Sequence, residues 1–332
     1  MRPTAADETV AMGRALALAA SVRTTTSPNP WVGCVILPGP FEGATRPPGG
    51  PHAERVALDA AGPAAEGATL VTTLEPCAHQ GRTASCVDAI VAAGVRRVVV
   101  GLVDPDPHVR GAGVSALRDA GVEVDVGMCE DEVRGQLAPY LKHRATGRPW
   151  VVLKLAATLD GRTAAPDGSS RWITGPEARA DTHRLRAESD AVLVGAGTVR
   201  ADDPELTVRP VDPDGREPLR VVLGQAPEGA RVRPALEMEG DLGTVLDDLG
   251  RRDVLQVLVE GGATVAGAFH RARLVDRYVL YLSPILLGGD DGHPVLAGAG
   301  APTLADAWRG WVVGVRRLGD DIRVDLAPSE GR

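Results

Sequence analysis

Apolar positions along the first 147 residues switch between a helical and a strand period. Residues 8–20 carry Ala, Leu and Met at helical spacing, and Val32–Leu37 is a short unbroken apolar run of the kind a buried strand presents. A Gly/Pro-rich loop follows, then a helix opening near His52 after the Gly49-Gly50-Pro51 turn. A strand over 69–73 delivers Glu75-Pro76-Cys77 to a helix over 84–93. Arg97–Leu102, a helix after Gly113 and Val122–Val126 continue the alternation. A helix from Glu130 to Thr146 then runs into Gly147-Arg148-Pro149, where the pattern restarts. Beyond it the spacing predicts strands at Trp150–Ala156, Ala191–Gly195, Leu219–Leu223, Val254–Val259, Arg277–Leu282, Val312–Arg317 and Ile322–Leu326, with a helix over Gly175–Glu188. Two α/β domains are expected, 1–147 and 148–332, each a helix-flanked sheet.

Composition narrows the class. The chain has 332 residues, 44% of them hydrophobic, and no apolar run approaches the ~20 residues of a membrane span. Up to residue 148 there are 14 basic and 16 acidic side chains, and beyond it 22 and 28. Neither part offers a basic face, and aromatics are only 3%, which argues against a polynucleotide partner. Arg14–Val22 is apolar but follows Asp7 and Glu8, so it is an amphipathic helix and not a signal peptide. The expectation is a soluble cytoplasmic enzyme acting on a small molecule, with neither nucleic acid nor membrane as partner, and a homo-oligomer.

The chemistry of the first domain lies in His52-Ala53-Glu54, Pro76-Cys77 and Cys86. One imidazole and two thiolates are three ligands for a tetrahedral zinc ion, with a fourth position open to water, whose pKa such an ion lowers to ~7. Glu54 would move the proton from that water to a departing amine. This H-x-E … P-C order is that of zinc deaminases of nucleobases, with eight residues between the cysteines where the short form has two. Two blander readings compete. Cys77 and Cys86 could form a disulfide, although four cysteines in a chain without secretory features make a poor disulfide framework. His52 and Glu54 could be an ordinary helix start. On the zinc reading, His52 and the cysteines sit at the starts of two neighbouring helices, where partial positive charge favours thiolate.

The second domain is less explicit. Leu258-Val259-Glu260-Gly261-Gly262-Ala263-Thr264 is a strand running through glycines into a helix, able to present N–H groups to a phosphate, but it lacks the G-x-G-x-x-G fingerprint. Arg200–Pro204 and Leu206–Arg209 make a charge-dense loop that could equally be a solvated turn. Lys154 is one of only two lysines among 36 basic residues. Its place inside the apolar strand Val151–Leu155 suggests that a compact ammonium is wanted there; a snorkelling strand residue is the alternative.

Taken together, these segments resemble the bifunctional riboflavin-biosynthesis deaminase/reductase over nearly the whole chain. Pro28-Asn29-Pro30-Trp31-Val32-Gly33-Cys34, His52-Ala53-Glu54 and Pro76–Thr83 through Cys86 resemble its deaminase half. Lys154-Leu155-Ala156, Leu159–Arg162, Ser170–Thr174, Ala201–Pro204 and Glu260-Gly261-Gly262 resemble its reductase half. The resemblance implies a cytidine-deaminase-like α/β/α domain followed by a dihydrofolate-reductase-like α/β domain. It implies zinc-dependent deamination of 2,5-diamino-6-ribosylamino-4(3H)-pyrimidinone 5′-phosphate, then NADPH-dependent reduction of the ribosyl group to ribityl. By the same resemblance Asn29, His79 and Arg82 contact the pyrimidine, and Glu54 and Lys154 are catalytic. Ala156, Trp172, Thr198, Asp202 and the turn Gly262, Ala263, Thr264, Val265, Ala266, Gly267, Ala268 match cofactor positions, while Ser170, Arg186, Leu206, Arg209 and Glu260 match substrate positions.

Two departures from the family stand out. The segment between Leu37 and His52 is short, which implies a trimmed hairpin. Gly224–Thr244 is much shorter than its counterpart and is expected to lack a strand and a cofactor-side loop, with Gln225 where a polar cofactor contact belongs. The rivals are a deaminase with a non-reducing second domain, a nucleic-acid editing deaminase, and a pseudoenzyme. The last is disfavoured by the presence of Glu54 and all three ligands.

Overall fold

Thr4 starts the first helix with a capping box. Its hydroxyl accepts the Asp7 N–H, and the Asp7 carboxylate accepts the Thr4 N–H at 2.8 Å. The structure, a computed structural model, describes residues 3–78, 85–106, 110–210 and 215–329. The chain divides into two compact units, Met1–Gly147 and Arg148–Arg332. Among the described residues no helix is long and apolar enough to cross a membrane.

Unit 1 runs α1 (Ala5–Ser21), α2 (Arg23–Thr26), β1 (Gly33–Leu37), β2 (Phe41–Ala44), α3 (Ala53–Ala61), β3 (Thr69–Leu74), α4 (Cys86–Ala92), β4 (Arg97–Leu102), α5 (Ala112–Asp119), β5 (Glu123–Val126) and α6 (Glu130–Thr146). Its sheet has the order β2-β1-β3-β4-β5, with β1 antiparallel to both neighbours and β3, β4 and β5 parallel. The central strand β3 is buried at every position, as a strand covered on both faces must be. Two glycines set the covering helices. A Cβ on Gly33 would stand 1.9 Å from Ala15 O of α1, and one on Gly43 would stand 2.1 Å from Ala53 O of α3. Gly43 pairs with Cys34, the residue after Gly33, so α1 and α3 lie on opposite faces of the sheet. The short segment after Leu37 carries a hairpin: β2 forms within it and seats α3. In the sequence it is only a Gly/Pro-rich loop, because β2 exists through its pairing with β1.

Unit 2 runs β6 (Trp150–Thr158), β7 (Arg162–Ala164), α7 (Pro176–Ala187), β8 (Ala191–Gly195), α8 (Ala196–Asp202), β9 (Leu219–Leu223), β10 (Leu236–Met238), α9 (Leu242–Arg251), β11 (Gln256–Val259), α10 (Ala263–Arg271), β12 (Arg277–Ser283), β13 (His293–Pro294), β14 (Gly310–Leu318) and β15 (Asp321–Pro328). Eight strands take the order β10-β9-β8-β11-β6-β12-β15-β14, parallel as far as β12 and antiparallel thereafter. Strand period divides the core. Val151, Leu153 and Leu155 face Leu246 and Leu249 of α9 and Phe269 of α10, whereas Val152 faces Ala178 and Leu185 of α7. Lys154 and Ala156 therefore share the α7 face.

Two expectations change here. The Gly224–Thr244 segment holds a strand after all, since β10 pairs with the edge of β9. The strand that holds Lys154 is also longer than expected: β6 continues through Ala157 and Thr158 alongside β12, and Lys154 is the fifth of its nine residues.

Candidate metal centre and strand-end site

His52 is the N-cap residue of α3, and Cys86 opens α4 directly after its own cap, Ser85, whose hydroxyl accepts the Asp88 N–H at 3.0 Å. Cys77 follows the exit of β3. These three residues meet: His52 Nδ1 lies 3.3 Å from Cys86 Sγ and 3.6 Å from Cys77 Sγ, and the donor atoms all fall within 4.8 Å of one another. In a tetrahedral zinc site with Zn–S of ~2.3 Å and Zn–N of ~2.0 Å, sulfur and nitrogen are separated by roughly 3.5 Å. The donors thus have both the chemistry and the spacing for zinc. Without a metal the two thiols share one proton: the hydrogen bond from Cys86 and then His52 pull Cys77 down, while Cys86, holding that proton, is pushed up.

Glu54 lies two residues into the site from His52 and is only 3% exposed. Its Oε2 stands 3.5 Å from Cys86 Sγ, and its Oε1 accepts the Thr72 hydroxyl at 3.3 Å. Burial raises its pKa against the lowering effect of His52, so it is suited to carrying a proton. Thr72 had no signal in the sequence beyond its place in β3. Its register partner is Cys34, on the α3 face.

Glu75 was likewise missed as more than part of the cysteine motif. Its buried carboxylate accepts the N–H groups of Asp104, Gly111 and Val114 at 3.1, 3.0 and 3.0 Å, capping α5 from the neighbouring strand. Asn29 sits in a turn whose Pro28 carbonyl accepts from Arg144 at 3.4 Å. His79 and Arg82 lie outside the described residues.

In unit 2 Glu260, Arg186 and Lys154 come together where the parallel strand β11 ends, the kind of place where open α/β sheets bind ligands. Glu260 directly follows β11 and receives a two-pronged pair from Arg186 of α7, at 2.6 and 2.9 Å. Burial pushes the Glu260 carboxyl up, but Arg186 and Lys154 bring it below its ordinary range. Burial and Arg186 lower Lys154, opposed by Glu260. The Lys154 ammonium lies 5.9 Å from the Tyr281 ring centre. Thr198 Oγ1 accepts the Gly262 N–H at 3.1 Å and so joins α8 to the start of α10. A Cβ on Gly261 would stand 2.6 Å from Val265, so only glycine allows this turn to close.

Other placements depart from expectation. Gly262–Ala268 is not a turn: Gly262 caps α10, and Ala263–Ala268 are helical, with Ala266 and Gly267 buried in the core while Gly262 and Thr264 are exposed. Arg200 to Asp202 are the last turn of α8, not a loop. Asp202 pairs with Arg171 at 3.7 Å. Trp172 is 69% exposed beneath the Arg179 guanidinium, 4.6 Å from its ring centre. Ser170 is half-buried and Gln225 exposed.

Comparison with known proteins covers both units. Residues 6–102 match the cytidine and deoxycytidylate deaminase zinc-binding region, and residues 149–323 match the RibD C-terminal domain. The riboflavin biosynthesis protein RibD of Escherichia coli K12 is 40% identical over 359 residues, spanning 95% of this chain and 98% of that one. The solved structure of Acinetobacter baumannii RibD superposes with a TM-score of 0.92 at 39% identity, over 97% of this chain and 99% of that one. A Thermotoga maritima structure described as a diaminohydroxyphosphoribosylaminopyrimidine deaminase/5-amino-6-(5-phosphoribosylamino)uracil reductase does so with a TM-score of 0.87 at 33% identity, over 97% and 98%. With the zinc-ligand cluster in one unit and the strand-end site in the other, the chain belongs to the RibD family of riboflavin biosynthesis proteins.

Proposed function

We propose that this protein performs two successive reactions of riboflavin biosynthesis: hydrolytic deamination of 2,5-diamino-6-ribosylamino-4(3H)-pyrimidinone 5′-phosphate, then reduction of its ribosyl group to ribityl. The observation that carries the reading is the meeting of His52, Cys77, Cys86 and Glu54 at the paired starts of α3 and α4. Zinc, when bound, supplies water acidic enough to act as a nucleophile at neutral pH. His52, Cys77 and Cys86 hold the metal. Glu54 takes the proton from the attacking water and returns it to the amine, which leaves as ammonia, while the Thr72 hydroxyl fixes the rotamer of Glu54. Asn29, His79 and Arg82 hold the pyrimidine.

In unit 2, NADPH, when bound, supplies the hydride. Ala156, Trp172, Thr198, Asp202 and the exposed start of α10 hold the cofactor, whose phosphates suit the uncapped first-turn amides of that helix. Ser170, Arg186, Leu206 and Arg209 hold the phosphorylated substrate. The ribosyl ring must open to expose the carbon that is reduced, and Lys154 stabilises the negative charge that builds on its oxygen. Glu260, clamped by Arg186, keeps that ammonium in place.

The same reading includes a homo-oligomer and a cytoplasmic setting. Val312 and Val315 of β14 and Ile322 of β15 leave an apolar sheet edge 41–60% exposed, which a second copy would cover. Cys34 and Cys129 are free thiols while Cys77 and Cys86 serve the metal, a use of cysteine that suits a reducing compartment.

Mass spectrometry of the zinc-loaded protein with the diaminopyrimidine substrate, with and without NADPH, tests the proposal. Ammonia release without NADPH and ribityl product only with it are expected. Deamination alone would leave unit 2 a non-reducing domain, and no turnover at all would sink the reading.

A further inference from the structure

Two side chains of α7 converge on one backbone carbonyl in the loop after α8. His183 Nδ1 lies 3.1 Å and Arg186 Nη1 3.0 Å from Thr207 O. A carbonyl oxygen only accepts, so Nδ1 carries the proton. Burial first, then the charges of Arg186 and Arg209, lower the histidine pKa against the opposing pull of the Thr207 bond and Glu260, and the ring is neutral at pH 7. Thr207 passes the restraint along the chain, because its hydroxyl accepts from Arg209 Nε at 3.3 Å. The residue before it, Leu206, is 3% exposed with φ of +55°. A leucine stays in the left-handed region only where its surroundings hold it there. Arg186 cannot easily adjust to do this alone, since its Nε and Nη2 are committed to Glu260.

We propose that His183 is a positioning residue of the reductase half: by sharing the Thr207 carbonyl with Arg186, it fixes the 206–209 segment, anchored in the core by the Leu206 side chain, that presents the Leu206 backbone and Arg209 to the phosphorylated substrate. The proposal rests on the reading of Arg186, Leu206 and Arg209 as substrate contacts. It places a residue with no substrate contact of its own in control of substrate affinity, with the phosphate group as the part of the ligand that senses the turn.

The full-length protein with His183→Ala or His183→Asn is assayed on the deaminated 5′-phosphate substrate and on its dephosphorylated form. Amide hydrogen exchange of residues 205–209 is followed in parallel. In His183→Ala, KM for the phosphorylated substrate is expected to rise about fivefold, as loss of one carbonyl hydrogen bond implies, with kcat within about twofold of the parent value. KM for the dephosphorylated substrate should hardly move, and the 205–209 amides should exchange faster. Asparagine can place its Nδ2 where the histidine Nδ1 stood, so His183→Asn should restore both KM and protection. An unchanged KM in His183→Ala overturns the proposal. An equal loss on both substrates, or an asparagine variant no better than alanine, does so too, by making His183 a packing residue. A parent that oxidises no NADPH refutes instead the reductase reading beneath; the exchange data then judge the positioning role, and unaltered 205–209 amides in His183→Ala reject it.

Discussion

Arg323 and Asp181 meet at 2.5 Å, 6% and 9% exposed, in the interior of unit 2. The Asp181 Oδ2 also accepts the Tyr281 hydroxyl at 2.7 Å, and Arg323 grips Asp325 at 2.8 and 2.6 Å, so the buried charges are held as a network. Burial pushes the Asp181 carboxyl up, but Tyr281, Arg323 and Arg184 bring it down to about 2. The ionised carboxylate therefore contributes about 2 kcal/mol, fully present above the unfolded value near pH 4 and lost as the pH falls through about 2. In urea titrations, Asp181→Asn should cost about 3 kcal/mol at pH 7, as breaking a buried pair does. It should also flatten the loss of stability of unit 2 between pH 4 and 2. An unchanged slope in that window would assign the acid sensitivity to other carboxylates.

Zinc should be held at one ion per chain. Cys77→Ser and Cys86→Ser are expected to lose the metal and lower the melting temperature of unit 1, because binding energy at such a site is also folding energy. Cys34, buried beside Glu54, and Cys129 are outside the donor set, and their serine variants should retain zinc. Elemental analysis decides, and full zinc in both ligand variants would remove these cysteines from the site.

Glu54→Gln separates metal binding from proton transfer. The amide keeps the size of the side chain and can still accept from Thr72, but it cannot carry a proton. Zinc content should be unchanged, deamination should fall by ~10²–10⁴-fold, and reduction of supplied deaminated substrate should continue. Deamination near the parental rate would mean that another group moves the proton.

Lys154→Met keeps the stem that packs on the α7 face of β6 and deletes the ammonium. Reductase turnover should fall by at least ~10²-fold, the scale of losing a charge-stabilising donor, with deamination intact and NADPH affinity little altered. Because Glu260 keeps Arg186 as a partner, the protein should remain folded. Parental reductase rates in this variant would make Lys154 a packing residue.

The parts of this molecule that were legible in its sequence are those whose cause is local. The strands Ala191–Gly195 and Leu219–Leu223 end where the β-branched runs end, and the helix Glu130–Thr146 has acids in its first turn and Gly147 after its last. The metal cluster was legible because its donors are rare residue types in a fixed order. The strands β2 and β10 were hidden because three or four residues among Gly and Pro become strands only through a paired neighbour. The last two residues of β6 were hidden for the same reason, with Leu282 and Ser283 of β12 holding Ala157 and Thr158 in the sheet. Thr72 and His183 gave no signal because their partners are 18 and 24 residues away, and their roles follow from register and approach.

The place of β6 in its sheet has a consequence for synthesis on the ribosome. It is the first strand of unit 2 to be made, yet both of its neighbours, β11 and β12, come about a hundred residues later, and the Val151 N–H waits for Asp276, 125 positions on. For most of the time the unit is being translated, the apolar run Val151–Leu155 is a strand with two open edges, the state in which chains associate wrongly. Unit 1 has no such debt: β1 finds β2 within a few residues and β3 soon after. Nascent chains of this protein should therefore depend on chaperones late, during the second half of translation, and chains released early should aggregate through β6.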